Sequence, residues 1–115
     1  MLQYIIMSWI PKNKVDIVHS MEVIYYFREP HKLIKHIVEN WIKIGGLLIA
    51  GMDCHKGNPK SYSWGEEMNV HMTLLSDYEW KNIFSNAGLK NCETWMTGYN
   101  KNHSKTLVVA GRYLP

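Results

Sequence analysis

Four consecutive apolar residues, Leu47-Leu48-Ile49-Ala50, constrain this chain more than any other stretch. A strand with one wet face alternates apolar and polar residues. An unbroken apolar run suits a strand buried on both faces, as in the middle of a parallel sheet. Upstream, Val15-Asp16-Ile17-Val18, followed by Met21, Val23 and Ile24, reads as a second buried strand of the same type. Between the two, Pro30 suits the first position of a helix, and Leu33, Ile34, Ile37, Val38 and Trp41 recur at helical spacing. Gly45-Gly46 is expected to stop that helix and turn the chain. Two strands joined through a helix pair in parallel, so the expected class is α/β.

The flanks add weaker elements. Leu2–Ile10 is apolar and β-prone, and Pro11 ends it. Residues 53–73 carry no clean period and read as one long polar and aromatic loop, of a length that usually serves function. Ser76-Asp77-Tyr78-Glu79 is a capping box, with Leu75 and Trp80 placed for a hydrophobic staple. Trp80, Ile83, Phe84 and Ala87 give the helix its apolar face, and Gly88 ends it. Leu89–Tyr99 and Thr106–Ala110 read as strands around a turn at 100–103, an antiparallel hairpin. The order is (β)–β–α–β–loop–α–β–β in a single domain over residues 1–115.

Composition narrows the function. The net charge of +3 is spread over scattered lysines without a basic run, which argues against nucleic acid. Two distant cysteines suit a reducing compartment, so a cytoplasmic protein is expected. The N-terminal apolar run is too short to span a bilayer and has no basic segment before it, so no membrane role is expected. Asp53, Cys54, His55 and His71 do not make a metal set, because adjacent Cys54 and His55 fit poorly around one tetrahedral ion and no spaced pair supports them. Nucleophile-elbow, P-loop and dinucleotide-loop patterns are absent.

Several short motifs stand in a telling order. They are Val15-Asp16-Ile17-Val18, then the crest His19-Ser20-Met21-Glu22, then Trp41 to Gly46 in the form W-x-x-x-G-G, then the helix from Ser76 to Leu89. The chain over about residues 11–112 resembles the class I S-adenosylmethionine-dependent methyltransferases from their fourth strand onward. The resemblance implies a partial Rossmann-like sheet, strands 4-5-7-6 with a terminal antiparallel hairpin, and a truncated methyltransferase domain acting on a small-molecule or undetermined acceptor. It places His19, Glu22 and Tyr25 in catalytic positions. His19, Ser20 and Met21 would stand beside the cofactor, and Tyr26, Asp53, Asn58 and Trp64 beside the acceptor. Read from the residues alone, Met21, Val23 and Ile24 are core, Glu22 serves equally as a cap, and Tyr62 and Trp64 serve equally as loop anchors.

The family's Gly-rich turn after its first strand and its ribose-binding carboxylate have no counterpart, since residues 1–14 contain no glycine to let backbone approach a ligand. S-adenosylmethionine is therefore the implied cofactor, with weak or no binding expected. The alternative is a non-catalytic remnant or partner domain that works through an exposed sheet edge and the aromatic loop. The strand at 15–18 would lack its family neighbour. Cover is expected from a homodimer built on that edge and the N-terminal segment, from Leu2–Ile10 folding back as a strand, or from a chain supplying the missing half-domain.

Overall fold

The computed structural model describes residues 6–98 and 105–115. Its elements are β1 (Val15–Met21), α1 (Pro30–Asn40), β2 (Ile42–Met52), α2 (Trp64–Met68), α3 (Asp77–Asn86), β3 (Lys90–Thr97) and β4 (Thr106–Arg112), with single 3-10 turns at Ile24–Tyr26 and Pro59–Ser61. The strands form one sheet in the order β1-β2-β4-β3. β1 and β2 are parallel, while β2–β4 and β4–β3 are antiparallel. The turn expected at 100–103 lies outside the described residues. Among these, no helix is long and apolar enough to cross a membrane.

The helices form for the reasons their sequences suggest. Pro30 opens α1, which buries Leu33, Ile34, Ile37 and Val38. Ser76 Oγ accepts from the Glu79 N–H, and Glu79 Oε1 accepts from the Ser76 N–H, each at 3.1 Å, so the capping box of α3 is complete. Trp80 and Phe84 of α3 are fully buried, and Gly88 follows the helix at φ 105°. Both helices pack on one face of the sheet, against Leu48, Ala50 and Met52 of β2 and Leu107 and Val109 of β4.

The opposite face is a departure from expectation. Register places Ile17, Leu47, Ile49, Ala110 and Val108 on it. Leu48 and Ala50 are wholly buried, but their neighbours Leu47 and Ile49 are only half-buried. Among the described residues, the apolar run is thus covered on one side by helices and left half-exposed on the other. Likewise Met21 and Val23, expected in the core, are 46% and 43% exposed, whereas Ile24 is buried.

Three further expectations are corrected. Residues 6–8 are helical, not a strand; Leu2–Ile5 lie outside the described residues. The segment is tied to α1 instead of a sheet edge: the Trp9 carbonyl accepts from Trp41 Nε1 at 2.9 Å and from His36 Nε2 at 2.7 Å, and the Trp9 and Trp41 rings meet edge-on. Gly45-Gly46 lies within β2, which begins at Ile42 directly after α1. Gly46 is needed because a Cβ there would stand 2.8 Å from the Asp16 carbonyl and 2.4 Å from Ile42 Cγ2. Finally, residues 53–73 contain α2 and a 3-10 turn. A five-residue helix with no buried residue shows no period in the sequence.

Candidate functional site

β1 and β2 run side by side in the same direction, with Met21 opposite Gly51. The residues just past their carboxyl ends therefore meet. Ligands in open α/β sheets bind outside the carboxyl ends of the strands. Glu22 and Asp53 occupy that position here.

Glu22 takes a left-handed backbone conformation, φ 59°, as it leaves β1. Its N–H donates to the Gly51 carbonyl at 2.9 Å, which holds it to the β1–β2 ladder. Its carboxylate is engaged at both oxygens: Oε1 accepts from the Asp53 N–H at 2.6 Å and Oε2 accepts from the Tyr25 hydroxyl at 2.6 Å. The side chain thus ties the crest to the loop after β2. Burial, and then the bond to Glu22, push the Tyr25 hydroxyl far above the usual tyrosine range. Tyr25 is a fixed donor, its ring centre 4.6 Å from that of half-buried Tyr26 and tilted 36° to it.

The loop after β2 is anchored below this clamp. Asp53 Oδ1 accepts from the Thr106 hydroxyl at 2.5 Å, and the Asp53 carbonyl accepts from Asn58 Nδ2 at 2.8 Å. Buried His55 accepts at Nδ1 from the Gly57 N–H and donates from Nε2 to the Lys105 carbonyl at 2.9 Å. Buried Ser61 closes the turn with its hydroxyl on the Asn58 carbonyl at 2.7 Å. Burial pushes the Cys54 thiol up, which suits a packed side chain better than a nucleophile. A second strap comes from Thr73, whose N–H donates to the Tyr25 carbonyl at 2.6 Å and whose hydroxyl donates to the Phe27 carbonyl at 2.7 Å.

The structure therefore brings Glu22, Tyr25, Tyr26 and Asp53 into one bonded cluster. The other expected residues lie outside that cluster, and His19, Ser20 and Met21 instead border the groove beside β1. His19 is exposed, and register puts it with Met21 on the open face, while Ser20 faces the helices. Asn58, expected beside an acceptor, is 2% exposed and works as a loop anchor. Trp64 is half-buried against the core. Thr73 and Thr106 escape sequence reading because the groups they hold lie 46 and 53 positions away, and no local pattern marks such pairs.

A groove of about 320 Å³ runs beside β1. Its walls are mostly apolar, from Val18, Ile24, Phe27, Leu33, Ile37 and Trp41, with His19 and Ser20 at the strand. S-adenosylmethionine carries an ammonium, a carboxylate, a sulfonium and two ribose hydroxyls, each needing a polar partner once desolvated. The residues lining this groove do not supply that set, so they do not by themselves fit the whole cofactor.

No protein-family profile and no curated protein matches the chain. Solved structures do. One is a chain from the complex between the Haloferax volcanii Trm112 methyltransferase activator and a proposed methyltransferase, with TM-score 0.75 and 22% identity over 92% of this chain and 57% of that one. Another is the N-methyltransferase NodS from Bradyrhizobium japonicum with S-adenosyl-L-homocysteine, with TM-score 0.67 and 18% identity over 94% of this chain and 50% of that one. Human N-acetylserotonin methyltransferase with S-adenosylmethionine gives 0.71 and 12% over 96% of this chain and 32% of that one. The chain has the Rossmann-like class I methyltransferase fold, with a four-stranded mixed sheet. It spans less than two thirds of the length of each of these structures.

Proposed function

We propose that this chain carries the acceptor side of an S-adenosylmethionine-dependent methyltransferase domain, acting on a small-molecule acceptor, and that its own residues form only part of the cofactor site. The observation that supports this most is the clamp of Glu22 onto Asp53 and Tyr25 at the carboxyl ends of two parallel strands, within a fold shared with methyltransferases. On this reading β1, β2, β4 and β3 take the places of the family's strands four, five, seven and six. Ser20 and Met21, on opposite faces of β1, both border the groove beside it, which is taken as the cofactor side. His19, exposed at the end of β1, is the group placed to act on an acceptor proton. Glu22 and Tyr25 are positioning residues, because their polar atoms already bind each other and the loop. Tyr26 and Asp53 border the acceptor side.

A second reading is a non-catalytic partner domain, favoured by the apolar walls of the groove and by the full occupation of the Glu22 carboxylate. Titration of the chain with S-adenosylmethionine, followed by amide chemical shifts, separates the two. The expected outcome is binding in the high micromolar range or weaker, with shifts centred on His19–Tyr26. Absence of any shift at millimolar cofactor supports the non-catalytic reading. Low-micromolar affinity shows instead that this chain holds the cofactor unaided.

A further inference from the structure

We infer that the small-molecule acceptor carries an ammonium group and that Asp53 selects it, receiving that group at its Oδ2 oxygen. The inference rests on the acceptor side lying past the carboxyl ends of β1 and β2, and it names the chemistry which that side recognises.

The clamp leaves one carboxylate oxygen over. Glu22 gives Oε1 to the Asp53 N–H and Oε2 to the Tyr25 hydroxyl. The Asp53 carbonyl accepts from Asn58 Nδ2, and Asp53 Oδ1 accepts from the Thr106 hydroxyl. Asp53 Oδ2 has no partner among the described residues. Its direction is nonetheless fixed, because Glu22, Asn58 and Thr106 hold the residue at its N–H, its carbonyl and its carboxylate.

The charge around that oxygen favours a cation over a neutral donor. Glu22 and Asp53 accept from neutral groups alone, a backbone N–H and two hydroxyls. The ion pairs among the described residues go to other acids, Glu29, Glu39, Asp16 and Glu79. Lys56, the lysine nearest to Asp53 in sequence, is turned to Glu79 at 2.8 Å. Asp53 is half-buried, and a carboxylate withdrawn from water calls for a charged partner. A hydroxyl would complete the hydrogen bond and leave the charge unmet, whereas an ammonium supplies both, in a bond roughly twice as strong.

The neighbouring surface suits the carbon that bears such a group. A Cβ at Gly51 would stand 2.5 Å from Met21 Sδ and 3.9 Å from Thr106 Cγ2. The bare glycine therefore lets the Met21 thioether lie beside the threonine that holds Asp53. Met21 is 46% exposed, an adaptable apolar side chain next to the unpaired oxygen.

The test uses the full chain at neutral pH and two probes of like shape, 2-phenylethylamine and 2-phenylethanol, followed by amide chemical shifts. The amine should bind at least about tenfold more tightly than the alcohol, since a charge-assisted bond replaces a neutral one. Its shifts should centre on Asp53, Thr106 and Met21, and its advantage should shrink as salt is raised. Asp53→Asn keeps an oxygen for the Thr106 hydroxyl and should bring the amine down to the affinity of the alcohol, with circular dichroism confirming the fold. Should that variant not fold, the unsubstituted chain decides, and amine shifts centred away from Asp53 overturn the inference. Equal binding of the two probes, no binding of either, or an amine preference that survives Asp53→Asn also overturns it. S-adenosylmethionine shifts at His19–Tyr26 together with equal probe binding would sink the ammonium site and leave the methyltransferase reading standing. An amine preference lost in Asp53→Asn, in a chain that shows no cofactor shift, would support the ammonium site and count against methyl transfer.

Discussion

Glu22 holds together two segments that the sequence places 31 positions apart. The residue sits in a left-handed conformation that costs a non-glycine residue about 1–3 kcal/mol, and two short hydrogen bonds to a carboxylate offset that cost. Glu22→Ala should lower unfolding stability by about 1–3 kcal/mol, since it leaves the Asp53 N–H and the Tyr25 hydroxyl unpaired. Glu22→Gln, which keeps one acceptor oxygen, should lose less. Urea denaturation measures both. If methyl transfer is found, unchanged kinetics in the Gln variant would confine Glu22 to positioning. Tyr25 gives a pH prediction. Its folded pKa is raised, so the neutral hydroxyl favours the folded state. That contribution is fully present below the ordinary tyrosine value of 10.0 and is lost as pH climbs above it. Stability should therefore fall above about pH 10, and the fall should be shallower in Tyr25→Phe when both are followed by thermal melts.

At the level of elements, the helices that read most clearly are those with local signals. Pro30 and the capping box of α3 are both where the sequence places them, because caps depend on residues within one turn. Ser76→Ala should cost about 1 kcal/mol, measured as a lowered denaturant midpoint at constant slope. Glu79 also binds Lys56 Nζ at 2.8 Å, so the same residue fastens the loop after β2 to the start of α3. The elements that sequence reading missed are those without a local signal. The run at Ile6–Ser8 has the composition of a strand, yet the contacts of Trp9 with Trp41 and His36 hold its end against α1. The glycine pair has the chemistry of a helix stop, yet Gly46 admits the β1 backbone beside β2, while Gly45 takes a φ of 91° with nothing close to where a Cβ would stand.

Among the described residues, α1 and α3 cover one side of the sheet, and β1 and β3 are its outer strands. Amide exchange should accordingly rank β2 and β4 slowest and β1 faster, because among the described residues β1 pairs with β2 alone and exposes Ile17 and Met21. Equal protection of β1 and β2 in the chain alone would show that something covers the edge. The parallel strand–helix–strand unit, the terminal hairpin and the apolar faces of α1 and α3 were legible in the sequence, because period, caps and turn residues act over a few positions. The left-handed Glu22, the threonine straps, the burial of Asn58 and His55, and the choice of which face of Leu47–Ala50 is covered were decided only in the tertiary structure. Each depends on a partner tens of residues away or on the presence of a second layer, and neither leaves a mark on the local order of side chains.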